Sequence, residues 1–582
     1  MRCTRVAFVG LASLMIGVAT ARAEAPADPL RLVPDTTDLV VEIRHPRLVA
    51  ETLYGLEVIK KVEAFGPVRE ILESTNYRRF HQLVAYFEKQ LGAKWPELLD
   101  RLAGGGAVAA VKIQPDNAPV LLVVQGKDAA LLRRFAALGL QLLEQEVARN
   151  DGKDHLERGK HRGVDTYQLG KELHAAVTGT AMLLSNKADA LHAAIDLSID
   201  GPQKSLAPSP KISEARNLAP ADPLAMLWFN MDVAHKNPQV KDVFAKGRDP
   251  FLTVLFGGWL DTARRASFLT AAMAKEGDGF LFTLRMPAGR EGSGGEQSVH
   301  VPPPSGGEVL PPLEPPGVIL SHSFYLDVGK FWDYRAKIFT PEQIKNLEDA
   351  DTKSALVLAG QKLSTLLKHA GARHRFVSAN PRTSPYKRQP KQPVPAFAVV
   401  AELRDSAEFT KTMNTVLRGV ALIGGSQFKL KLSDAKHCNY KLIAYRFDEE
   451  AKVNQDPNDI RFNFTPCFTT VGNYFIASST TELCHDLIDL LEKEANQKRG
   501  SGSSVAMRTV GYAPGAADSL AVGADALLAQ TILSRAVTLD EARAETKTLI
   551  ELVRQLGQVK LETEYHATDF RVNLRWLPPG TR

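Results

Sequence analysis

The sequence has few cysteines, no long hydrophobic run beyond its N-terminus and none of the common catalytic motifs. Four cysteines in 582 residues exclude a disulfide-rich scaffold. No segment after residue 23 approaches the length of about 18 apolar residues that a membrane helix needs, which predicts a soluble mature protein. The nucleophile elbow G-x-S-x-G, the P-loop, H-E-x-x-H and G-x-G-x-x-G are all absent, so any enzyme activity would depend on dispersed residues.

The N-terminus is typical of a secretory signal peptide. Arg2 and Arg5 form a basic start, residues 6–19 carry no charge, and Ala21 and Ala23 are small residues in the positions that a signal peptidase reads. We therefore expect residues 1–23 to be removed and the mature protein to be located in the periplasm or outside the cell.

The charge of the mature chain is close to balanced. Removal of Arg2, Arg5 and Arg22 leaves 69 basic residues against 66 acidic residues, a net charge of about +3. A binding site for nucleic acid needs a clustered basic surface rather than so small an excess, so we expect no nucleic-acid partner.

Two parts of the chain resemble each other and predict an internal duplication. Residues 179–197 align without a gap with residues 472–490, and six of the 19 positions are identical. Residues 288–316 between the two parts are rich in Gly and Pro and predict an extended linker. The predicted organisation is a first α+β repeat at 24–287, the linker at 288–316 and a second repeat at 317–582.

The predicted fold class is α+β, with a mostly antiparallel sheet in each half and helices packed on one face. The apolar segments 106–113 and 120–125 predict strands joined by a Gln-Pro-Asp-Asn turn. Apolar residues at helical spacing in 80–91 and 129–148 predict amphipathic helices. Hairpins interleaved with helices are typical of this class.

A histidine and an aspartate recur at the same spacing in both halves. His192 lies four residues before Asp196, and His485 lies four residues before Asp489, on predicted helices. This spacing puts an imidazole and a carboxylate on one helix face, where the carboxylate would orient a general base. The alternative is a surface pair without catalytic function, which we favour because no nucleophile is suitably spaced.

The second half contains a basic segment where the first half has only a short turn. Six cations occur in residues 373–391 without any acid, which predicts an exposed loop that binds phosphate, an acidic glycan or anionic lipid headgroups; the alternative is a solvated loop without a ligand. The candidate anion-binding residues are Arg373, Arg375, Arg382, Lys387, Arg388 and Lys391.

An acidic segment and three cysteines also belong to the second half. Carboxylates at Asp448, Glu450, Asp456 and Asp459 are weak candidates for a calcium site, because the spacing lacks the features of an EF-hand loop. The acidic and basic segments have opposite charge, so the alternative is that they contact each other or a second copy.

Cys467 and Cys484 are candidates for a short-loop disulfide, and the alternative is that they and Cys438 are small buried apolar residues.

Short motifs resemble those of exported bacterial proteins that carry a domain of unknown function. They are a P-x-x-T-x-L-V-V strand at residues 34–41, a glycine-to-tyrosine strand at 163–167 and a glycine-to-serine strand at 179–185 that leads into a helix. The resemblance implies an α+β fold and no known activity.

Two classes of function follow from these observations. The first is a non-catalytic binding or scaffold protein of the cell envelope, whose partner is an anionic polymer, a lipid headgroup or another envelope protein; a carrier of lipids or other hydrophobic ligands is a variant of it. The second is a hydrolase outside the cytoplasm that uses dispersed residues. No cofactor is predicted for either class.

Overall fold

The computed structural model describes residues 27–580 apart from 56–61, 63–64, 150–155, 245–248, 305–308, 359, 428, 452, 454–455 and 497–503. The predicted signal peptide lies outside the described residues, so its removal stays a prediction. The described chain forms two compact units. Unit 1 takes residues 27–237 and 266–285, and unit 2 takes residues 238–265 and 286–580.

Unit 1 contains a fully antiparallel sheet in its described residues. Its ten strands are β1 (Leu39–Ile43), β2 (Gly106–Val111), β3 (Val120–Gln125), β4 (Leu156–His161), β5 (Val164–Leu169), β6 (Leu173–Thr178), β7 (Ala181–Ser185), β8 (Ala225–Asn230), β9 (Phe268–Glu276) and β10 (Gly279–Met286). The order across the sheet is β10-β9-β8-β1-β2-β3-β7-β6-β5-β4.

Unit 2 repeats this order with its own ten strands, again counted over the described residues. They are β11 (Val318–Tyr325), β12 (Ala370–Ala379), β13 (Ala396–Leu403), β14 (Leu430–His437), β15 (Tyr440–Phe447), β16 (Cys467–Val471), β17 (Tyr474–Ser478), β18 (Val505–Tyr512), β19 (Gln558–Tyr565) and β20 (Phe570–Leu577). The order is β20-β19-β18-β11-β12-β13-β17-β16-β15-β14, and every pairing is antiparallel.

Helices connect the strands in both units. Those of unit 1 are α1 (Pro46–Tyr54), α2 (Gly66–Leu72), α3 (Thr75–Leu91), α4 (Trp95–Ala103), α5 (Ala129–Arg149), α6 (Ala188–Asp200), α7 (Pro210–Leu218) and α8 (Met231–Lys236). Those of unit 2 are α9 (Pro238–Phe244), α10 (Pro250–Arg265), α11 (Val328–Asp333), α12 (Arg335–Ile338), α13 (Pro341–Ser354), α14 (Leu363–His369), α15 (Ser406–Gln427), α16 (Thr481–Ala495), α17 (Ala513–Val522), α18 (Ala524–Arg535) and α19 (Leu539–Arg554).

The α+β class and the antiparallel sheet are confirmed, but the prediction of helices on one face is wrong. In β3, Val123 packs in a core with α6 and α7, whereas its neighbour Val124 packs with α3, α4 and α5. Successive side chains of a strand point to opposite faces, so helices cover both faces of the sheet. In β15 of unit 2, Leu442 packs with α16 and Ile443 packs with α15.

Residues 288–316 differ from the extended linker that their composition predicts. They belong to unit 2, include the 3-10 helix Gly295–Val299, and bury Val299, Val309 and Leu313. Val309 packs against Val505, and Leu313 lies in the core that α16 covers. The prediction was based on the content of Gly and Pro and did not take account of the apolar residues between them. Helices α9 and α10 also belong to unit 2, which differs from the predicted boundary of the first repeat.

Two connections are longer in unit 2 than in unit 1. The chain between β12 and β13 (380–395) replaces the turn between β2 and β3 (112–119), and the chain between β15 and β16 (448–466) replaces the turn between β5 and β6 (170–172). We call the first the basic loop and the second the acidic loop. No single helix among the described residues is long and apolar enough to cross a membrane; only the bent pair α17 and α18, at 76° to each other, meets those criteria when taken together.

Candidate functional site

Each unit has a cluster of two histidines and one aspartate at the same place in the fold. In unit 1 the rings of His161 and His192 stack with centroids 4.1 Å apart and planes 7° apart. In unit 2 His437 and His485 stack at 4.2 Å and 8°. One ring of each pair ends the first strand of a hairpin, and the other lies on the helix that packs on the sheet.

The aspartate of each cluster bonds to the hairpin histidine and not to the histidine four residues before it on the helix. The Nε2 atom of His161 lies 2.8 Å from Asp196 Oδ1, and His437 Nε2 lies 2.8 Å from Asp489 Oδ1. The predicted pairing of His192 with Asp196, and of His485 with Asp489, therefore needs correction. The helix histidine packs its ring on the hairpin histidine, while the carboxylate holds that ring by its edge.

A tight turn brings the hairpin histidine to the helix. His161 pairs with Val164 and His437 pairs with Tyr440, so two residues make each turn. In both turns the first residue has a positive φ, 49° at Arg162 and 50° at Cys438, which matches the right-handed twist of the strands. The residue after the histidine thus projects beside the same aspartate in both units.

That residue differs in chemistry between the units. Arg162 donates to Asp196 at 3.3 Å and holds Asp200 through two bonds of 2.7 Å. In unit 2 the Sγ atom of Cys438 lies 3.9 Å from Asp489 Oδ1. Hydrogen bonding from His161 and Arg162 holds the pKa of Asp196 below its usual value. The hydrogen-bonded arrangement is a guanidinium–carboxylate cluster in unit 1 and a thiol–imidazole–carboxylate cluster in unit 2.

The environment of Cys438 does not activate it as a nucleophile. Desolvation and the carboxylates of Asp489 and Glu492 raise the pKa of its thiol, whereas reactive cysteines have a lowered pKa. Asp489 stands between the thiol and His437, so the order of a Cys-His-Asp triad is not reproduced. His485 has its pKa lowered by desolvation and by His437, so it is neutral at pH 7.

The basic and acidic loops of unit 2 contact each other. The backbone N–H groups of Lys387 and Arg388 donate to Glu449 Oε2 at 2.8 and 3.0 Å, and the side chain of Arg388 reaches Asp459 at 2.8 Å. Lys391 donates through its Nζ atom to the carbonyl of Pro457 at 2.9 Å. This is the alternative that the opposite charges of the two segments suggested.

Tyr386 anchors the basic loop from inside. Its ring is buried and lies 5.0 Å from the ring of Phe462. Its hydroxyl donates to the carbonyl of Phe464 at 2.9 Å and accepts from the N–H of Phe447 at 3.0 Å. The loop is therefore fixed by its own core residue as well as by charge.

The other candidate anion-binding residues also have partners in the chain. Arg373 and Arg375 lie in strand β12 and not in an exposed loop, and they pair with Glu402 at 2.9 Å and Glu494 at 2.5 Å. Arg382 binds both oxygens of Asp486 at 2.8 Å and also Glu482. A basic segment without acids in sequence is therefore largely neutralised by acids from elsewhere in unit 2.

Three of the four candidate calcium ligands are engaged in ion pairs, and the two candidate disulfide cysteines are free thiols. Asp448 pairs with Lys431 at 2.9 Å, Asp456 pairs with Arg461 at 2.8 Å, and Glu450 is exposed. Cys467 and Cys484 are buried in the core under α16, as the apolar alternative predicted. Cys438 is exposed, so that alternative is wrong for this residue.

The two loops enclose a cleft in unit 2, which we call the unit 2 cleft. Its volume is about 650 Å³. One wall is the basic loop with Pro381, Pro385 and Pro390, another is the chain around Phe462, and the floor is the first half of α16. His437, His485 and Asp489 line it as well, so the histidine–aspartate cluster of unit 2 lies at the cleft.

Comparisons with solved structures give only distant similarity. Three crystal forms of TP0453 (I, III and IV) are similar to parts of the chain, with identities of 11%, 12% and 11% and TM-scores of 0.24, 0.24 and 0.25. They cover 46%, 47% and 45% of this chain and 82%, 85% and 81% of their own. Similarity at this level carries no argument about function.

The sequence comparisons identify one domain. No curated protein matches the chain. Residues 104–246 match the family described as a protein of unknown function (DUF3352), a range that begins at β2 and includes His161, His192 and Asp196. This match agrees with the resemblance of the motifs to proteins that carry a domain of unknown function.

Proposed function

We propose that the protein is an exported, non-catalytic binding protein of the cell envelope, and that it binds its ligand in the unit 2 cleft. The observation that carries this proposal is the cleft of about 650 Å³, whose walls are two loops that are present in unit 2 and reduced to short turns in unit 1. Small-molecule sites commonly have volumes of about 300–1,000 Å³.

The chemistry of the cleft favours a polar ligand that offers hydrogen-bond donors. Three carboxylates, Glu482, Asp486 and Asp489, line the cleft together with threonine hydroxyls. Arg382, the cation of the lining, is already bound to Glu482 and Asp486. Hydroxyl and amino groups of a ligand would find acceptors here, whereas an anionic ligand would meet uncompensated negative charge. We therefore propose an oligosaccharide with hydroxyl or amino groups in place of the anionic polymer.

The same features favour binding over the alternatives. A hydrolase that uses the histidines needs an activated nucleophile beside them. His161 contacts a second imidazole and a carboxylate, and the thiol of Cys438 near His437 has a raised pKa. A carrier of hydrophobic ligands needs a continuous apolar groove, and the unit 2 cleft contains carboxylates and hydroxyls instead. These contrasts support a non-catalytic function.

The proposal includes an internal duplication followed by divergence. The same strand order in the two units and the same geometry of the two histidine–aspartate clusters support a common origin. Under this hypothesis unit 1 keeps the ancestral form with short turns, and unit 2 gained the basic and acidic loops together with a ligand cleft.

A thermal-shift experiment on residues 24–582 tests the proposal. The panel contains neutral oligosaccharides, oligosaccharides with amino groups, and acidic glycans, each at low and high salt. A ligand at a hundred times its Kd stabilises the folded state by about 2.7 kcal/mol, which is readily detected. We expect shifts with neutral or amino-bearing oligosaccharides that persist at high salt.

A matched pair of variants locates the site. Thr383 is exposed and lines the cleft, so Thr383→Trp fills the cleft and should abolish the shift. Thr352 is also exposed in unit 2, on α13, so Thr352→Trp should leave the shift unchanged. Salt-sensitive shifts with acidic glycans alone, or equal shifts in the two variants, would show that the proposed site or ligand class is wrong.

A further inference from the structure

The histidine–aspartate cluster of unit 2 has the donor set of a transition-metal site. His437 Nε2, Cys438 Sγ and a carboxylate oxygen of Asp489 all lie within 4.8 Å of one another. The nitrogen and oxygen are 2.8 Å apart, and the sulfur and oxygen are 3.9 Å apart. Ligands of a tetrahedral ion at bond lengths of about 2.0–2.3 Å are separated by similar distances, so small side-chain rotations bring all three to one centre.

We propose that His437, Cys438 and Asp489 bind one divalent zinc ion, with a fourth coordination position left open. A thiolate, an imidazole and a carboxylate together suit an ion of intermediate softness. Calcium and magnesium prefer oxygen ligands and do not favour a thiolate. This site does not depend on the oligosaccharide proposed for the cleft, although two of its three ligands, His437 and Asp489, also line the cleft.

Unit 1 shows what occupies the same place when the thiol is missing. There Arg162 follows the hairpin histidine, and its guanidinium holds Asp196 and Asp200. In the aligned helix of unit 2, Lys493 stands in place of Asp200, so that position carries no carboxylate. The guanidinium of Arg162 thus supplies the positive charge beside the aspartate in unit 1. In unit 2 the proposed metal ion supplies it.

The surroundings of Cys438 favour a cation. Asp489 Oδ1 lies 3.9 Å from the sulfur of Cys438 and 2.8 Å from His437 Nε2, so a carboxylate charge stands between two further donor atoms where a dication would neutralise it. Cys438 is exposed, so an ion from solution can reach it. The other two described cysteines of the second half are buried in the core and cannot compete for the ion.

His485 acts as a positioning residue for the site. Its ring stacks on His437 at 4.2 Å, which fixes the plane of the ligating imidazole, and its own Nε2 atom is buried without a hydrogen-bond partner. Residues that orient a ligand typically change metal affinity about ten- to a hundred-fold when they are removed.

Titration of residues 24–582 with Co²⁺, followed by displacement with Zn²⁺, tests the site. We expect one equivalent to bind, with the charge-transfer absorption that only a thiolate ligand gives. Cys438→Ser should abolish that absorption and weaken Zn²⁺ binding at least about tenfold, and His485→Ala should weaken binding about tenfold while keeping the absorption.

A reciprocal variant in unit 1 keeps the proposal falsifiable if a unit 2 variant folds poorly. Arg162 and Cys438 share the same positive φ, so Arg162→Cys fits the turn and places a thiol beside His161 and Asp196. The number of bound ions should rise from one to two. Absence of binding by the unsubstituted protein, or Co²⁺ binding without thiolate absorption, would overturn the proposal. Because the readout is metal alone, failure here leaves the oligosaccharide proposal untouched.

Discussion

Breaking the ion pair of Arg375 and Glu494 should strongly destabilise unit 2, and Glu494→Gln tests this. The side chain of Arg375 is 0% exposed, and its Nη1 atom lies 2.5 Å from Glu494 Oε2. Its guanidinium also lies over the ring of Tyr474, 5.1 Å from the centroid. The pair joins strand β12 to the end of helix α16, so its loss leaves a buried cation facing a neutral amide.

The magnitude follows from the burial of the pair. Removal of one partner from a buried ion pair costs about 3–5 kcal/mol, because the remaining charge is desolvated without compensation. The side chain of Glu494 is 14% exposed, and glutamine keeps an acceptor near Arg375. We therefore expect Glu494→Gln to lower the free energy of unfolding by about 3 kcal/mol, the lower end of that range.

Urea unfolding of residues 24–582, followed by circular dichroism, measures this loss. The control is Glu408→Gln in unit 2, because Glu408 pairs with Lys411 at 3.4 Å on the surface and is 51% exposed. An exposed pair contributes at most about 1 kcal/mol. The double variant Arg375→Met with Glu494→Leu should regain most of the stability, since it leaves no unpaired charge. Equal losses for Glu494→Gln and Glu408→Gln would refute the reasoning.

Two further predictions concern acid sensitivity and the core. Desolvation holds the pKa of His374 below its usual value, so the neutral imidazole is favoured in the folded protein. Its contribution to the free energy of unfolding is complete above the unfolded pKa of about 6.5 and declines as the pH falls below that value. His374→Gln, which keeps a donor for the carbonyl of Leu326, should reduce the loss of stability between about pH 7 and pH 5 in urea titrations; an unchanged loss would contradict this assignment. Leu183 in β7 is fully buried, so Leu183→Ala should cost about 2–5 kcal/mol of unfolding free energy, whereas Leu48→Ala at an exposed position should cost under about 0.5 kcal/mol.

The sequence predicted elements with a strong local pattern most accurately. The short apolar, valine-rich run of 120–125 predicted β3 (Val120–Gln125) at its observed bounds, and the apolar spacing of 129–148 predicted α5 (Ala129–Arg149) to within one residue. A strand or helix of this kind is determined by residues close together in sequence, which is why pattern alone located it.

Details that depend on distant residues were predicted poorly. Asn186 is of a residue type that favours helix caps and lies next to the start of α6, but the residue before the helix is Lys187, which makes no side-chain cap. Asn186 instead accepts from the N–H of Val120, a residue 66 positions away. Asn186 makes this tertiary hydrogen bond in place of a local helix cap. No pattern within α6 could have predicted that bond.

The candidate site shows the same division. The sequence identified His192, Asp196, His485 and Asp489 as residues of interest, but it paired them along the helix. The actual partners, His161 and His437, come from hairpins 35 and 52 residues away from the aspartates they bond. One signal was present in the sequence: a histidine before a two-residue turn occurs in both halves, at His161 and His437, and aligning the hairpins as well as the helices would have found it.

The edge strands β4 and β14 affect whether copies of the protein can associate through their sheets. Among the described residues each pairs with a single neighbouring strand, and most of their side chains are exposed. Open strand edges recruit other chains into intermolecular β-structure unless charge or a twist discourages it. For two such edges to pair, the cations that they carry would have to approach like charges. These cations are Arg158 and Lys160 in β4, and Lys431 and Lys436 in β14. These lysines and arginines therefore act as gatekeepers against fibril-like aggregation.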